Sequence, residues 1–260
     1  MQPTRDDDPL CDFYDSDTPS EGPIVAFYRS IAAEAAGKPV LVLCCGTGRI
    51  ALALLADGHT VTAADISSPM LAKFRDKLPG LSNDARQRLT IVHADASELS
   101  FREAFGAVII PYNSIPCIPS FDGQLRTLRN AFAALTPNGV FAADLVNALI
   151  VRRKALLEPQ LMYTRRHVIR GTEYSRFGMH SALDADQIHR AFGYYDELQP
   201  DGTHVRHDWE ETLRHVFRFE LELMLRLSGF DQIDTWGGFD RKSLQARDPK
   251  IVVRAMKRIK

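Results

Sequence analysis

Short β-branched runs alternate with longer helical patterns over the first two thirds of the chain, which is typical of βαβ units. The runs are continuously apolar, as expected for strands of a parallel sheet buried on both faces. The predicted strands span residues 40–43, 61–64, 89–92, 108–110 and 140–143. Helices are predicted over residues 24–36, 50–56, 125–135 and 217–227 and from Ser67 onward, and residues 137–139 are predicted to form a turn.

The pattern of hydrophobic and polar positions changes after Asn147. Polar and aromatic positions alternate between residues 160 and 210 without a helical period, and Pro200-Asp201-Gly202 is a hairpin turn signal. We therefore expect a doubly wound, mostly parallel α/β core over residues 21–149, an antiparallel β insertion over 150–215, and completion of the core sheet by 216–260 with a strand at 251–253. The polar and acidic residues 1–20 are expected to be a mobile segment.

Composition narrows the possible partners. The 260 residues carry a formal net charge of -1 and no long basic stripe, which argues against nucleic-acid binding. No apolar stretch reaches the roughly 20 residues that span a bilayer, and no signal peptide is visible, so we expect no membrane partner and a cytoplasmic location. The four cysteines are not spaced for bridging or ligation, and we expect reduced thiols and no metal; they are Cys11, Cys44, Cys45 and Cys117.

Residues suited to a nucleotide-like ligand follow three successive predicted strands. Cys44-Cys45-Gly46-Thr47-Gly48 follows the first strand, Asp65 ends the second 19 residues after Gly46, and Asp95 ends the third. In an open parallel sheet, ligands bind outside the carboxyl ends of the strands. Glycine lets the backbone approach a ligand, and a carboxylate accepts hydrogen bonds from ribose hydroxyls. Taken singly, a glycine pair is often only a tight turn and an aspartate only a helix cap; the three together favour a binding site.

A nicotinamide-dependent oxidoreductase is the main alternative, because Gly46-x-Gly48-x-x-Ala51 with an acid about 20 residues later also fits that fingerprint. Three features argue against it. The motif follows an N-terminal helix, Asp95 has no evident task with that cofactor, and no tyrosine has a lysine four positions later.

Residues 40–78 resemble the opening of a class I S-adenosylmethionine-dependent methyltransferase. The resemblance continues through 93–96, 105–114 and 135–139, and the tail at 238–240, Pro249 and 251–253 resembles the closing hairpin of bacterial small-molecule members. It implies a seven-stranded Rossmann-like methyltransferase fold, S-adenosylmethionine as the cofactor, residues 21–149 as the cofactor-binding core, and residues 150–215 as a lid, dimer or substrate region.

The resemblance also implies roles for individual residues. The cofactor-binding set is Tyr14, Cys44, Cys45, Gly46, Gly48, Asp65, Ile66, Met70, Asp95, Ala96, Pro111 and Ser114. In this reading the cysteine–glycine turn lies under the methionine part, Asp65 holds the ribose, and Tyr14 closes over the cofactor. Candidate catalytic residues are Tyr112, Asn113 and, as a base, His215; candidate substrate contacts are His180, Tyr194, Arg214 and Trp236.

Two positions depart from the family pattern. The family usually has an acid where Val42 stands and a glycine where Cys44 stands. A catalytically silent cofactor-binding relative therefore stays a second alternative. The prediction is methyl transfer by in-line displacement to a nitrogen or oxygen of a small-molecule metabolite or natural-product intermediate, with nitrogen slightly preferred and a homodimer possible. A general base is optional for this chemistry.

Overall fold

The structure is a computed structural model that describes residues 8–18, 21–151 and 154–258. Its strands in chain order are β1 Val40–Leu43, β2 Val61–Asp65, β3 Leu89–His93, β4 Phe105–Ile110, β5 Leu135–Val146, β6 Leu156–Arg166, β7 Glu173–His180, β8 Ile188–Leu198, β9 His204–Arg214, β10 Asp231–Trp236 and β11 Lys250–Met256. Its α-helices are α1 Pro9–Asp17, α2 Pro23–Ala33, α3 Arg49–Ala56, α4 Ser68–Asp76, α5 Asn83–Gln87, α6 Phe121–Ala134 and α7 Arg218–Ser228. Short 3-10 helices lie at Leu78–Gly80 and Ala148–Ile150.

Seven strands form the core sheet in the order β10-β11-β5-β4-β1-β2-β3. Strands β1 to β5 run parallel to one another, and β11 pairs antiparallel with both β5 and β10. The chain runs outward from β1 to β3 and then returns to β4 on the other side of β1. This change of direction opens a crevice at the carboxyl ends of β1 and β4, where such sheets bind ligands.

Both faces of the core sheet are covered at its centre, which explains why β1 and β4 have no polar side chain at any position. In β1, Val40 and Val42 pack on one side with α2 and α3, while Leu41 and Leu43 pack on the other with α6 and α7. Because both sides need apolar residues, the period-two alternation of a half-exposed strand is absent. The predicted doubly wound α/β fold is confirmed.

A second, antiparallel sheet of order β6-β7-β8-β9 lies between β5 and α7 in sequence, within the predicted insertion. Its face toward α1 carries the buried Tyr174, Tyr195 and Trp209, which pack around Phe13 of α1. The ring of Phe13 stacks on that of Tyr195 with centroids 4.2 Å apart. The insertion thus has its own small apolar core, and α1 supplies the central side chain.

The structure differs from the prediction at three places. Residues 9–17 form a helix with buried Phe13, not a mobile segment; residues 1–7, 19 and 20 of that predicted segment lie outside the described residues. Helix α2 ends at Ala33, earlier than predicted, because Ala36 and Gly37 both adopt positive φ. The predicted turn at 137–139 is an irregular part of β5: Leu135 pairs with Phe105, the register then shifts, and Asn138 has a φ of 63°.

Every helix of the described residues is too short or too polar to cross a membrane. All four cysteines are free. The cytoplasmic location and the homodimer stay predictions.

Candidate functional site

The turn after β1 has the backbone shape that a close approach to a ligand requires. Cys44, Gly46 and Gly48 have φ values of 52°, 56° and 83°. A Cβ on Gly48 would lie 2.3 Å from the ring of Phe74, so only glycine fits there. Cys44 is left-handed without being glycine, at a cost of about 1–2 kcal/mol. The family position that Cys44 fills is therefore one where glycine relieves backbone strain.

Asp65 ties the end of β2 to this turn. Its side chain is 4% exposed; Oδ2 accepts a hydrogen bond from the backbone N–H of Gly46 at 2.7 Å, and Oδ1 accepts one from that of Ser67 at 2.8 Å. Burial raises the pKa of Asp65, and the bonds from Ser67 and Gly46 only partly offset it. Each carboxylate oxygen has two acceptor sites, so Asp65 retains capacity for ligand hydroxyls.

A narrow recess runs from Asp65 to the end of β3. Burial disfavours the charged form of Asp95, but hydrogen bonds from Ser97 outweigh it and lower the pKa of Asp95; the backbone bond is 2.7 Å long. The recess is lined by Cys44, Asp65, Ile66, Ala94, Asp95, Ala96 and Ile118. The predicted adenine-side residues Ile66, Asp95 and Ala96 are therefore brought together.

A buried carboxylate fixes the segment after β4. Tyr112 and Asn113 are both left-handed, with φ values of 58° and 59°. Oδ1 of Asp144 accepts hydrogen bonds from the backbone N–H of Tyr112 at 2.7 Å and from the hydroxyl of Tyr28 at 2.6 Å, while Oδ2 pairs with Lys250 Nζ at 2.8 Å. Asp144 thus holds Tyr112 and Asn113 at the crevice in a conformation that non-glycine residues rarely adopt.

The first described helix closes over the glycine turn. A Cβ on Gly46 would lie 3.8 Å from the ring of Tyr14. One oxygen of Asp15 accepts a hydrogen bond from the hydroxyl of Thr47 at 2.6 Å, and the other lies 2.7 Å from Lys77 Nζ. Burial raises the pKa of Tyr14, so its hydroxyl stays neutral. Tyr14 therefore lies directly over Gly46, and its contact with the cofactor stays a prediction.

The same helix is bonded to the antiparallel sheet. Asp17, in its last turn, accepts hydrogen bonds from Tyr174 Oη at 2.7 Å, Tyr195 Oη at 2.8 Å and Arg176 Nη1 at 3.2 Å. Helix α1 therefore bridges the core sheet and the antiparallel sheet on one side of the crevice.

A cavity of about 1650 Å³ lies between the core strand ends, α1 and the antiparallel sheet. Of the predicted residues, those lining it from the core and α1 are Tyr14, Cys44, Gly46, Asp65, Met70, Tyr112, Asn113 and Ser114. Cys45, Gly48 and Pro111 stand directly beside this lining and shape its backbone: Gly48 N–H donates to the Cys45 carbonyl at 3.0 Å, and Ser114 Oγ donates to that of Pro111 at 2.6 Å.

The antiparallel sheet presents Arg176, Tyr195, Trp209 and Glu211 on its inner face. Tyr194 meets the cavity from the opposite face of that sheet, where its ring stacks on Phe177 and lies 3.8 Å below the guanidinium carbon of Arg206.

Four predicted acceptor residues are not among those lining the cavity. Arg214 is buried against Gln124 and Glu220, at 2.8 Å and 2.6 Å. His180 belongs to a row of three imidazoles with His189 and His215, whose centroids are 5.1 Å and 5.3 Å apart in that order.

His215 is 2% exposed, with Nε2 3.2 Å from His189 Nδ1. Burial, and then His189, lower the pKa of His215 to about 4. Trp236, the fourth of these residues, packs on Phe27 at a centroid distance of 6.2 Å. No group of three or more histidine, cysteine, aspartate or glutamate side chains in the described residues is arranged to hold a metal ion.

Sequence reasoning missed four residues of the site: Asp17, Asp144, Arg176 and Glu211. Asp144 ends a predicted strand, as Asp65 does, and this signal was sufficient to find it. The other three are recognisable only from the register of the antiparallel sheet and from the position of α1, which the sequence did not predict.

Comparison with known proteins agrees with this geometry. Residues 40–139 match the methyltransferase domain family. A demethylmenaquinone methyltransferase of Clavibacter sepedonicus is 38% identical over 109 residues, which cover 40% of this chain and 42% of that relative. The match therefore spans about two fifths of the relative's length.

Two solved structures extend the similarity beyond the matched segment. The CcbJ methyltransferase of Streptomyces caelestis shares the fold with a TM-score of 0.80, at 23% identity, over 98% of this chain and 99% of that one. The glycopeptide N-methyltransferase MtfA, solved with S-adenosylmethionine, is 25% identical with a TM-score of 0.57, over 94% of this chain and 90% of that one. Residues 40–139 therefore form a methyltransferase domain, and the chain as a whole shares the fold of solved methyltransferases.

Proposed function

We propose that this protein transfers the methyl group of S-adenosylmethionine to the amine nitrogen of a small metabolite or natural-product intermediate. The observation that carries the proposal is the single cavity that joins the glycine turn, Asp65 and Tyr112 to the inner face of the antiparallel sheet. One side offers the features of a cofactor site and the other an aromatic and charged wall for a second molecule.

The residues present fit the cofactor. The turn at Gly46 and Gly48 has no Cβ to obstruct it, Asp65 retains acceptor capacity for ribose hydroxyls, and the recess beside Asp95 and Ile66 offers an apolar slot with a polar edge. When bound, the cofactor would supply a methyl group carried by a sulfonium sulfur. The acceptor's lone pair forms the new bond to the methyl carbon, and the electron pair of the broken carbon–sulfur bond stays on sulfur.

The protein's own residues then act mainly by positioning. Tyr112 and Asn113, anchored through Asp144, line the space between the cofactor turn and the antiparallel sheet. Tyr14 lies over Gly46 of the turn and forms one wall of the cofactor side of the cavity. Holding two reactants in line contributes up to about 7–11 kcal/mol, so neither a metal nor a nucleophilic side chain is needed.

Nitrogen is preferred to oxygen for two reasons. The cavity is lined by several carboxylates, including Asp17, Asp65 and Glu211, which favour a cationic acceptor such as an ammonium. The similar MtfA is a glycopeptide N-methyltransferase. The nicotinamide-dependent alternative gains no support from the family match, and the catalytically silent alternative differs from the proposal in turnover alone.

Two measurements on the purified protein test the proposal. Calorimetric titration with S-adenosylhomocysteine should saturate, and titration with NADH should not. Radiolabelled S-adenosylmethionine should then label glucosamine in preference to glucose, which differs from it by a hydroxyl in place of the amine. Binding without turnover on either class would indicate a silent module, and labelling of hydroxyl compounds alone would refute the preference for nitrogen.

A further inference from the structure

The inner face of the antiparallel sheet brings one unused carboxylate to the cavity. Side chains alternate along a strand, so Trp209 and Glu211 of β9 point to the same face, and the strand register adds Tyr195 and Arg176 to it. Tyr195 and Trp209 pack against α1, which identifies this face as the one toward the core. Glu211 is therefore half-buried in the cavity lining, whereas its neighbour Glu210 borders the cavity from the outer face of the sheet and is exposed.

The other inward carboxylates of the cavity lining already have partners. Asp17 accepts hydrogen bonds from two tyrosines and Arg176, Asp65 accepts two from backbone N–H groups, and Asp8 caps α1 at Leu10 N, 2.9 Å away. Glu211 accepts no hydrogen bond and forms no close ion pair with any residue that the structure describes. Partial burial of a carboxylate costs desolvation free energy, and this cost is offset only when a ligand donates a hydrogen bond or a positive charge to it.

The groups that face Glu211 come from three elements. Arg176 reaches it from β7, Asp8 from the start of α1, and the Cys117 thiol from the segment between β4 and α6. Burial raises the pKa of Glu211, and the positive charge of Arg176 only partly opposes this. After burial itself, the charge of Glu211 is the largest influence that raises the pKa of Cys117, so the two side chains are close.

Cys117 connects Glu211 to the segment that borders the cofactor turn. Its Sγ lies 3.5 Å from the carbonyl oxygen of Asn113, and Asn113 follows Tyr112 at the end of β4. Glu211, Cys117, Tyr112 and Asn113 all line the same cavity, so Glu211 shares with them the space in which an acceptor has to present its nucleophile.

We propose that Glu211 is the catalytic residue that receives the ammonium group of the acceptor and takes its proton. The inference rests on the proposed methyl transfer to an amine. A nitrogen–hydrogen bond breaks and its electron pair stays on nitrogen as the lone pair that attacks the methyl carbon. The proton forms an oxygen–hydrogen bond on Glu211, so a cation and a carboxylate become a neutral amine and a neutral acid.

Burial makes this transfer feasible near neutral pH. Desolvation penalises the charged forms of both partners, which raises the pKa of a carboxylic acid and lowers that of an ammonium until the two approach each other. The substrate class is accordingly a primary or secondary aliphatic amine, which arrives as a cation. An aromatic amine, already neutral in solution, gains nothing from Glu211.

The test compares Glu211→Gln with Glu173→Gln, an exposed position on the outer face of the same sheet that does not line the cavity. Both are isosteric, and unchanged S-adenosylhomocysteine affinity in calorimetry confirms that each variant is folded. The acceptor probes are glucosamine, galactosamine and putrescine, with glucose as the hydroxyl counterpart. Glu211→Gln should lower kcat for the amines about 10²–10⁴-fold and abolish the acidic limb of the pH profile. Glu173→Gln should stay within about twofold of the parent.

A second readout requires no turnover. In infrared difference spectra between neutral and acidic pH, the protonated-carboxyl band of the parent protein should contain a contribution that Glu211→Gln removes and Glu173→Gln retains. Amine methylation at the parent rate by Glu211→Gln, or no difference in the carboxyl band, would overturn the role of Glu211 while leaving the proposed function intact. Methylation of glucose but of none of the amines would overturn both.

Discussion

Replacing Asp144 with asparagine tests whether a buried carboxylate organises the segment after β4. Asp144 is fully buried and accepts hydrogen bonds from Tyr28, from the backbone N–H of Tyr112 and from Lys250. Asparagine keeps the shape but removes the negative charge, and its amide N–H₂ must face at least one of these donors. We expect the variant to be less stable and Tyr112 to lose its anchor.

The magnitude follows from the burial of the pair. Breaking a buried ion pair by removing one partner costs about 3–5 kcal/mol. The Lys250 side chain is 28% exposed, so water compensates part of its charge and the lower range of about 2–3 kcal/mol applies. For a protein of this size, each kcal/mol lowers Tm by roughly 2–4 °C, which gives a fall of about 4–12 °C.

Thermal and urea unfolding of the parent, Asp144→Asn, Lys250→Met and the double variant measure the effect. Lys250→Met alone should also destabilise, because it leaves the buried carboxylate without its cation. If the two side chains form one unit, the double variant loses about 1–3 kcal/mol less than the sum of the single variants. Strict additivity, or a loss below about 0.5 kcal/mol in Asp144→Asn, would refute the reasoning.

Three further predictions concern the cofactor, acid stability and α1. Asp65→Asn should weaken S-adenosylhomocysteine binding about 10–100-fold in calorimetry, because a charged acceptor contributes roughly 1.5–3 kcal/mol. The pKa of His215 is about 4 when folded and about 6.5 when unfolded, so the unfolded chain takes up the proton first and stability falls by up to about 3 kcal/mol as pH drops through that window. In urea unfolding, His215→Gln should remove much of that loss, and the exposed His204→Gln should not. Asp17→Asn should speed amide hydrogen exchange in α1 about 10-fold or more, because it weakens the bonds to the antiparallel sheet.

Each of these predictions has a contradicting result. Unchanged affinity in the Asp65 variant would remove the ribose assignment. If the free energy of unfolding falls equally steeply with decreasing pH in the two histidine variants, another group dominates acid unfolding. Equal exchange rates in α1 would mean that Phe13, and not Asp17, holds the helix.

The core sheet and half of the site were predictable because their determinants are local. Apolar runs such as residues 40–43 predict strands that are buried on both faces. Parallel strands have their carboxyl ends at one edge of the sheet, which brings Asp65 and Asp95 to the same edge. The glycine turn is also local, since Gly48 is required by contact with Phe74 one βα unit later.

The acceptor side depends on contacts between residues distant in sequence. Helix α1 is short and polar, and it is ordered because Phe13 and Asp17 meet tyrosines more than 150 residues later. His215 was predicted from the chemistry of imidazole alone, but in the structure it is buried beside His189 and does not line the cavity. Glu211 is one of three acidic residues at 208–211, and only the strand register shows that it points inward.

The pairing of β5 with β11 has a consequence for synthesis on the ribosome. Ala143 pairs with Val253, about 110 residues later, and the whole antiparallel sheet is made in between. At about 5–20 residues per second, the apolar edge of β5 stays unpaired for roughly 5–20 s after it leaves the exit tunnel. During this interval the nascent chain presents a hydrophobic strand edge, which is a template for aggregation. Early strands with local partners can fold at once, whereas this edge of β5 stays open until β11 has been synthesised.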